Sequence, residues 1–217
     1  MHRPSFPSTV NVGRLIAITV LAVVMLSPTS VGAQTTSALR VRAAEFDPEH
    51  ACDAAAAWIK GIGLFAASDK FAYALRLHKL CATEVNAASF GLISGVKGEA
   101  LIGPDVLGFD YKNVNGGFVA HCGSGAPRFN VALSDGTFHF IGGCANGVQT
   151  PSPRGTGWTQ VRFDPQDPNH AFPVVPTNAT IVSIALVFDE GSDIDPNGSP
   201  EIVLDNIFVN GKFATRP

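Results

Sequence analysis

At 217 residues, with 46% hydrophobic and 15% charged side chains, the chain is long enough to bury a sizeable core and too apolar for a disordered polypeptide. Fifteen Lys and Arg against eighteen Asp and Glu give a net charge of −3, a mild acidity that speaks against nucleic acid or an anionic membrane surface as partner. Four cysteines, an even count with no Cys-x-x-Cys pair, suit an oxidising compartment and two disulfides better than a zinc site.

At the N-terminus, Arg3 and Arg14 precede an apolar run over residues 15–26, interrupted only by Thr19 and followed by a short polar stretch ending in Val31-Gly32-Ala33. Crossing a bilayer takes about 20 apolar residues. This run is shorter and ends in the small residues that a signal peptidase reads, so residues 1–33 are expected to be a cleaved signal peptide. Cleavage leaves residues 34–217, the size of a single domain, with thirteen basic residues against eighteen acidic ones, a net charge of −5. The expected location is extracellular with no membrane attachment, and the short signal and Ala-rich composition fit a bacterial host.

The first segment of the mature chain is ambiguous. Asp47-Pro48-Glu49 has the marks of a helix start, and Lys60-Gly61 of a stop. Propensity makes the Ala-rich stretch between them a short N-terminal helix, and the alternative is a strand entering Gly61-Ile62-Gly63. Beyond it a strand is read around residues 72–80, and further strands follow from residue 128 onward. Two alternating runs flank Asp135-Gly136, the dipeptide of a tight hairpin turn. A two-residue turn sets Leu133 against Phe138 and Val131 against Phe140, burying Phe129, Val131, Leu133, Phe138 and Phe140 on one face. Arg128, Asn130, Thr137 and His139 then share the other face.

The same register brings Cys144 opposite Pro127, within reach of the Gly-rich stretch that begins at Cys122. Of the three possible pairings this favours Cys122 with Cys144 and leaves Cys52 for Cys81. Runs at 158–163, 179–188 and 201–209 are β-branched or aromatic and are bounded by Pro, Gly, Asn and Asp. The fold class is therefore mostly β, an antiparallel jelly-roll-like β-sandwich.

Strand alternation over 201–211 puts Val203, Asp205, Ile207 and Val209 on one face, so a carboxylate interrupts an apolar row. Burying it requires a cation, several hydrogen bonds or an open edge. The segment Leu204-Asp205-Asn206-Ile207 followed by Val209-Asn210-Gly211 resembles the closing strand of the jelly-roll sandwiches among secreted carbohydrate-binding modules and galactose-binding-like domains. That resemblance implies a structural calcium ion held in part by Asp205, and extracellular polysaccharide as partner. It covers about a tenth of the mature chain. The chain departs from those families in having few Trp and Tyr residues and no attached catalytic domain.

Asp193, Asp195 and Asn197 supply oxygens at the alternate spacing of a calcium loop. Counted from Asp193, however, the twelfth position is Leu204 rather than a bidentate Glu, and a solvated Asp-Pro-Asn-Gly turn accounts for the same residues. For a ligand face, the outward side of the hairpin offers Arg128, Asn130 and His139, with Trp158 either a stacking platform or part of the core. No catalytic residue is assigned: Ser124 beside His121 lacks the nucleophile-elbow pattern, and Asp164, Asp167 and His170 fall in an Asp-Pro loop. Three functions are compatible with these features, namely a non-catalytic glycan-binding sandwich, a structural or surface protein with no small ligand, and a secreted polysaccharide hydrolase or lyase.

Overall fold

The alternating apolar residues settle into strands throughout the computed structural model, which describes residues 38–64, 71–112, 121–193 and 200–217. The stretch read as a signal peptide lies outside the described residues. In chain order the strands are β1 (Arg40–Phe46), β2 (Ala54–Ile59), β3 (Ala74–Lys79), β4 (Ala88–Ser94), β5 (Leu107–Lys112), β6 (Arg128–Leu133) and β7 (Phe138–Gly142). They continue with β8 (Val148–Pro151), β9 (Trp158–Phe163), β10 (Ala171–Phe172), β11 (Ile181–Phe188), β12 (Glu201–Val209) and β13 (Lys212–Phe213). One sheet has the order β1-β4-β11-β6-β7-β10 and the other β2-β3-β12-β5-β9-β8, with β13 paired to β12, and every ladder is antiparallel. The result is a two-sheet β-sandwich, compatible with a jelly-roll-like fold.

Facing residues of the two sheets fill the core. Phe109 from one sheet meets Phe129 from the other, with ring centroids 6.0 Å apart, and Phe163 closes the cluster at 5.9 and 6.2 Å from them. Leu75, Leu77, Ile141, Ile181, Leu186 and Phe188 surround these rings, all buried. Each such side chain stabilises the fold by about 1.5–3 kcal/mol through removal from water.

Three local expectations change. The Ala-rich segment is a strand, β2, not a helix. Asp47 does cap the backbone as a helix start would, accepting from Ala51 N and Cys52 N at 3.1 Å each, but the turn ends there. Pairing of β2 with β3 along Ala54–Lys79 to Ile59–Ala74, together with the Cys52–Cys81 bridge, outweighs a preference worth a few tenths of a kcal/mol per residue.

The hairpin is shifted by one residue. Gly136, at φ +83°, takes the left-handed position of a three-residue loop, Ser134-Asp135-Gly136, so Val131 pairs with His139 and Asn130 with Phe140. Thr137 N and Oγ1 donate to Asp135 Oδ1 at 3.0 and 2.6 Å and lock that loop. A shift of one flips β7: His139 and Ile141 turn inward, and Phe138 and Phe140 turn to solvent.

β12 carries a bulge. Asp205 pairs with Asp110 and Phe208 with Gly108, so two residues of β12 oppose one of β5, and Asn206 sits at φ +46°. Ile202, Leu204, Ile207 and Val209 therefore all reach the core, and Asp205 faces away from it.

The cysteines pair as the hairpin argument favoured, Cys52 with Cys81 and Cys122 with Cys144, with Cα separations of 5.4 and 5.1 Å. Two disulfides are consistent with an extracellular protein. No helix among the described residues is long and apolar enough to cross a membrane.

Candidate functional site

The bulge concentrates polar groups on the outer face of the β12 sheet. Asp110 is fully buried there; its Oδ2 accepts from Ser152 Oγ and from Asn206 Nδ2, both at 2.7 Å. Its Oδ1 has no hydrogen bond among the described residues, and Arg162 Nη1 stands 3.7 Å away. Burial lowers the Arg162 guanidinium from its ordinary value, with Asp110 opposing the shift. Asp205 takes a different set of donors: Oδ2 accepts from Leu64 N at 2.7 Å and Oδ1 from Asn206 N at 2.6 Å. Gly63 lets the chain pass this close, since a Cβ there would collide with the Tyr73 carbonyl and Asp205 Oδ2.

Beside the bulge lies a cavity of about 480 Å³, its walls built from segments distant in sequence. Trp58, Tyr73 and Phe213 supply aromatic surface, and Asp205, Asn206, Arg154 and Arg216 supply polar groups. Trp58 Nε1 donates to the Val41 carbonyl at 2.9 Å, which fixes its ring. Arg154 lies over the Phe213 ring at 4.2 Å and Arg216 over Tyr73 at 4.0 Å. Rigid rings with planar donors and acceptors between them suit a ligand that has both apolar C–H faces and hydroxyl or acid groups.

The hairpin residues expected to form a ligand face are divided. Arg128 and Asn130 do point outward, but Phe138 and Phe140 accompany them instead of His139. Arg128 is committed to Asp189, with its Nη1 and Nη2 at 2.7 and 2.6 Å from the two carboxylate oxygens. His139 is a core group: Nδ1 donates to the Pro173 carbonyl at 2.8 Å and Nε2 meets Thr137 Oγ1 at 2.7 Å. Trp158 is 6% exposed, in a small cluster with Leu64 and Ala74 on the outer face, and offers no open ring. Ser124 has no base on its hydroxyl among the described contacts, and the neighbouring His121 is bonded to Glu190 at 2.5 Å.

Asp195 and Asn197 lie outside the described residues. Asp193 accepts from Thr83 N and Oγ1 at 2.7 and 2.8 Å, near the end of β3. At that same end, Lys79 Nζ donates to the carbonyls of Thr83, Val85 and Asp189 at 3.0, 2.8 and 2.9 Å. Burial lowers this ammonium from its ordinary value. Glu201 pairs with neighbouring His78, so Asp205, four residues farther along β12, is about 13 Å from that end at the usual strand rise. The structure thus does not bring Asp193 and Asp205 together, and no group of three or more His, Cys, Asp or Glu that could hold a metal exists among the described residues.

The residues that sequence reasoning missed are Trp58, Tyr73, Asp110, Arg154, Phe213 and Arg216. No local pattern marks them, because the cavity exists only once β2, β12, the 152–157 loop and the C-terminal residues meet. Comparison with known proteins found no matching family model, no matching curated protein and no matching solved structure.

Proposed function

We propose that this chain is a secreted, non-catalytic β-sandwich that binds extracellular glycan, of the carbohydrate-binding or galactose-binding-like kind that its closing strand resembles. The observation that carries the proposal is the cavity beside the β12 bulge, where three aromatic rings and the polar side chains of Arg154, Asp205, Asn206, Thr215 and Arg216 line one space. Sugars present C–H faces that pack on aromatic rings and hydroxyls that bridge planar amide, carboxylate and guanidinium groups. Two disulfides accord with action outside the cell.

Binding rather than hydrolysis is favoured because Asp205 is the one carboxylate side chain among the described residues that line the cavity, and backbone N–H groups engage both its oxygens. Glycoside hydrolysis ordinarily uses two carboxylates flanking the bond to be cut. The test is a glycan array followed by titration calorimetry on the best ligands. Saturable binding that disappears in Tyr73→Ala with Phe213→Ala, while thermal unfolding stays cooperative, is expected; failure to bind any glycan overturns the proposal.

A second reading, a surface protein without a small ligand, draws on the outer face of the other sheet. Phe138 and Phe140 pack edge to face there at 5.2 Å, and Phe172, cross-strand partner of Phe140, is 77% exposed. Such a patch is unusual on a monomer without a partner.

A further inference from the structure

Arg154 and Arg216 differ from the other arginines whose contacts the structure gives around the two sheets. Arg76 meets Glu201 at 2.5 Å, Arg128 meets Asp189 at 2.6 Å and Arg162 lies 3.7 Å from Asp110. Neither Arg154 nor Arg216 has a carboxylate partner among the described residues. Both line the same cavity, and both rest on an aromatic ring, Phe213 at 4.2 Å and Tyr73 at 4.0 Å. Stacking holds a guanidinium plane in place and leaves its N–H edge free to form the paired hydrogen bonds that fit a carboxylate or sulfate. The two arginines come from segments about sixty residues apart, Arg154 after β8 and Arg216 after β13, so their convergence is a product of the fold. Asp205 also faces the cavity, and its two oxygens are already taken up by Leu64 N and Asn206 N.

We propose that the cavity recognises an acidic sugar, with the carboxylate of a uronate or a sugar sulfate held between Arg154 and Arg216; this rests on the glycan-binding reading above. The aromatic rings receive the sugar's C–H face, and the two guanidinium groups select for its charge. Arginine is suited to this because it stays charged at all working pH values and binds planar anions in a bidentate way.

The experiment is calorimetric titration of the purified protein with an oligogalacturonate, a sulfated oligosaccharide, a neutral oligosaccharide of equal length, and inorganic sulfate alone. Acidic oligosaccharides are expected to bind at least tenfold tighter than the neutral one and to weaken as salt rises, because the contact is exposed to screening. Arg154→Ala and Arg216→Ala should each reduce that affinity about tenfold with unfolding temperature unchanged, and Arg→Lys should restore part of it. Equal affinity for neutral and acidic sugars, unaffected by either substitution, overturns the charge selection and leaves glycan binding standing. Arginine-dependent binding of sulfate alone, with no gain from any attached sugar, leaves an anion site and overturns the glycan reading. Absence of binding to all four probes overturns both.

Discussion

Asp205 stands directly across from Asp110 in the β12–β5 ladder, and the two carboxylates are kept apart in role by their donors. Asp110 is tied to side chains, Ser152 and Asn206, with Arg162 beside it, and Asp205 is tied to the backbone of Leu64 and Asn206. Like charges directly opposite one another destabilise a ladder unless something compensates. The αL conformation of Asn206 supplies that compensation, because it aims one residue's amide at Asp110 and its backbone N–H at Asp205.

Asp110→Ala removes the partner of two donors and leaves Arg162 buried without its carboxylate. The expected cost is about 3–5 kcal/mol in urea unfolding. Asp110→Asn keeps the shape and part of the hydrogen bonding and should cost roughly half as much. Equal, small effects from the two variants would show that the cluster carries no stabilising weight.

The hairpin supplies a second test, since the two registers predict opposite outcomes. With His139 inward, His139→Ala leaves the Pro173 carbonyl unpaired and opens a void, at a cost of about 2–3 kcal/mol. Phe138→Ser, on the exposed side, should change stability by no more than about 0.5 kcal/mol. The register read from a two-residue turn reverses this order, so chemical-denaturation midpoints of the two variants decide between them.

These two elements show what the sequence made legible. Alternation and turn residues located the hairpin and the strands at 158–163, 179–188 and 201–209, and with them the sandwich, because those signals are local; β1, β4, β5, β8, β10 and β13 were not singled out. The face of β7 was misread because Asp135-Gly136 serves equally in a two-residue and a three-residue loop, and a single added residue inverts every side chain beyond it. The row Val203, Asp205, Ile207, Val209 failed for the same reason, since an Asn in αL inserts a bulge that plain alternation does not anticipate. The Ala-rich β2 reversed a propensity too weak to resist pairing with β3. The cavity was invisible, because Arg154, Tyr73 and Arg216 become neighbours only through contacts across 60–140 residues of chain.

The tie between the loop after β3 and the segment after β11 predicts a pH dependence. Thr83 Oγ1 and N hold the Asp193 carboxyl below its usual range, the hydroxyl more than the amide, and the same hydroxyl accepts from Gly191 N at 2.9 Å. Because the folded value lies below the unfolded one, near 3.9, the contribution is complete above about pH 4 and is lost as pH falls through the lowered folded value. Carboxyl NMR titration of Thr83→Ala should show Asp193 titrating closer to its ordinary value, with less loss of stability below pH 4. An unchanged Asp193 titration would show that the hydroxyl contributes nothing.

Lys79 offers a case where a buried charge organises a loop. Its ammonium satisfies three carbonyls that would otherwise end inside the protein, so Lys79→Met should cost about 2–4 kcal/mol even though it removes a buried charge. Hydrogen exchange should locate the loss, with amides of residues 81–87 and 189–193 gaining exchange ahead of the sheet interior. Uniform exchange across the molecule would mean that the lysine stabilises the sandwich as a whole rather than this end of it.

The two disulfides should separate under reduction. Cys52 and Cys81 are both half-buried at the edge where β2 begins, whereas the second bridge has one fully buried sulfur, Cys144, and one half-buried residue, Cys122, that packs against the core. Thiolate exchange requires access to a sulfur, so mild reductant followed by alkylation should label Cys52 and Cys81 first. Removing either bridge by paired Cys→Ala substitution should cost about 3 kcal/mol, because the two close loops of similar length, 29 and 22 residues apart in sequence. The rate order and the similar equilibrium costs are independent outcomes. Early labelling of Cys144 would mean that the 121–127 segment opens readily, and a much larger cost for the Cys122–Cys144 pair would place that bridge among the contacts that hold the two sheets together.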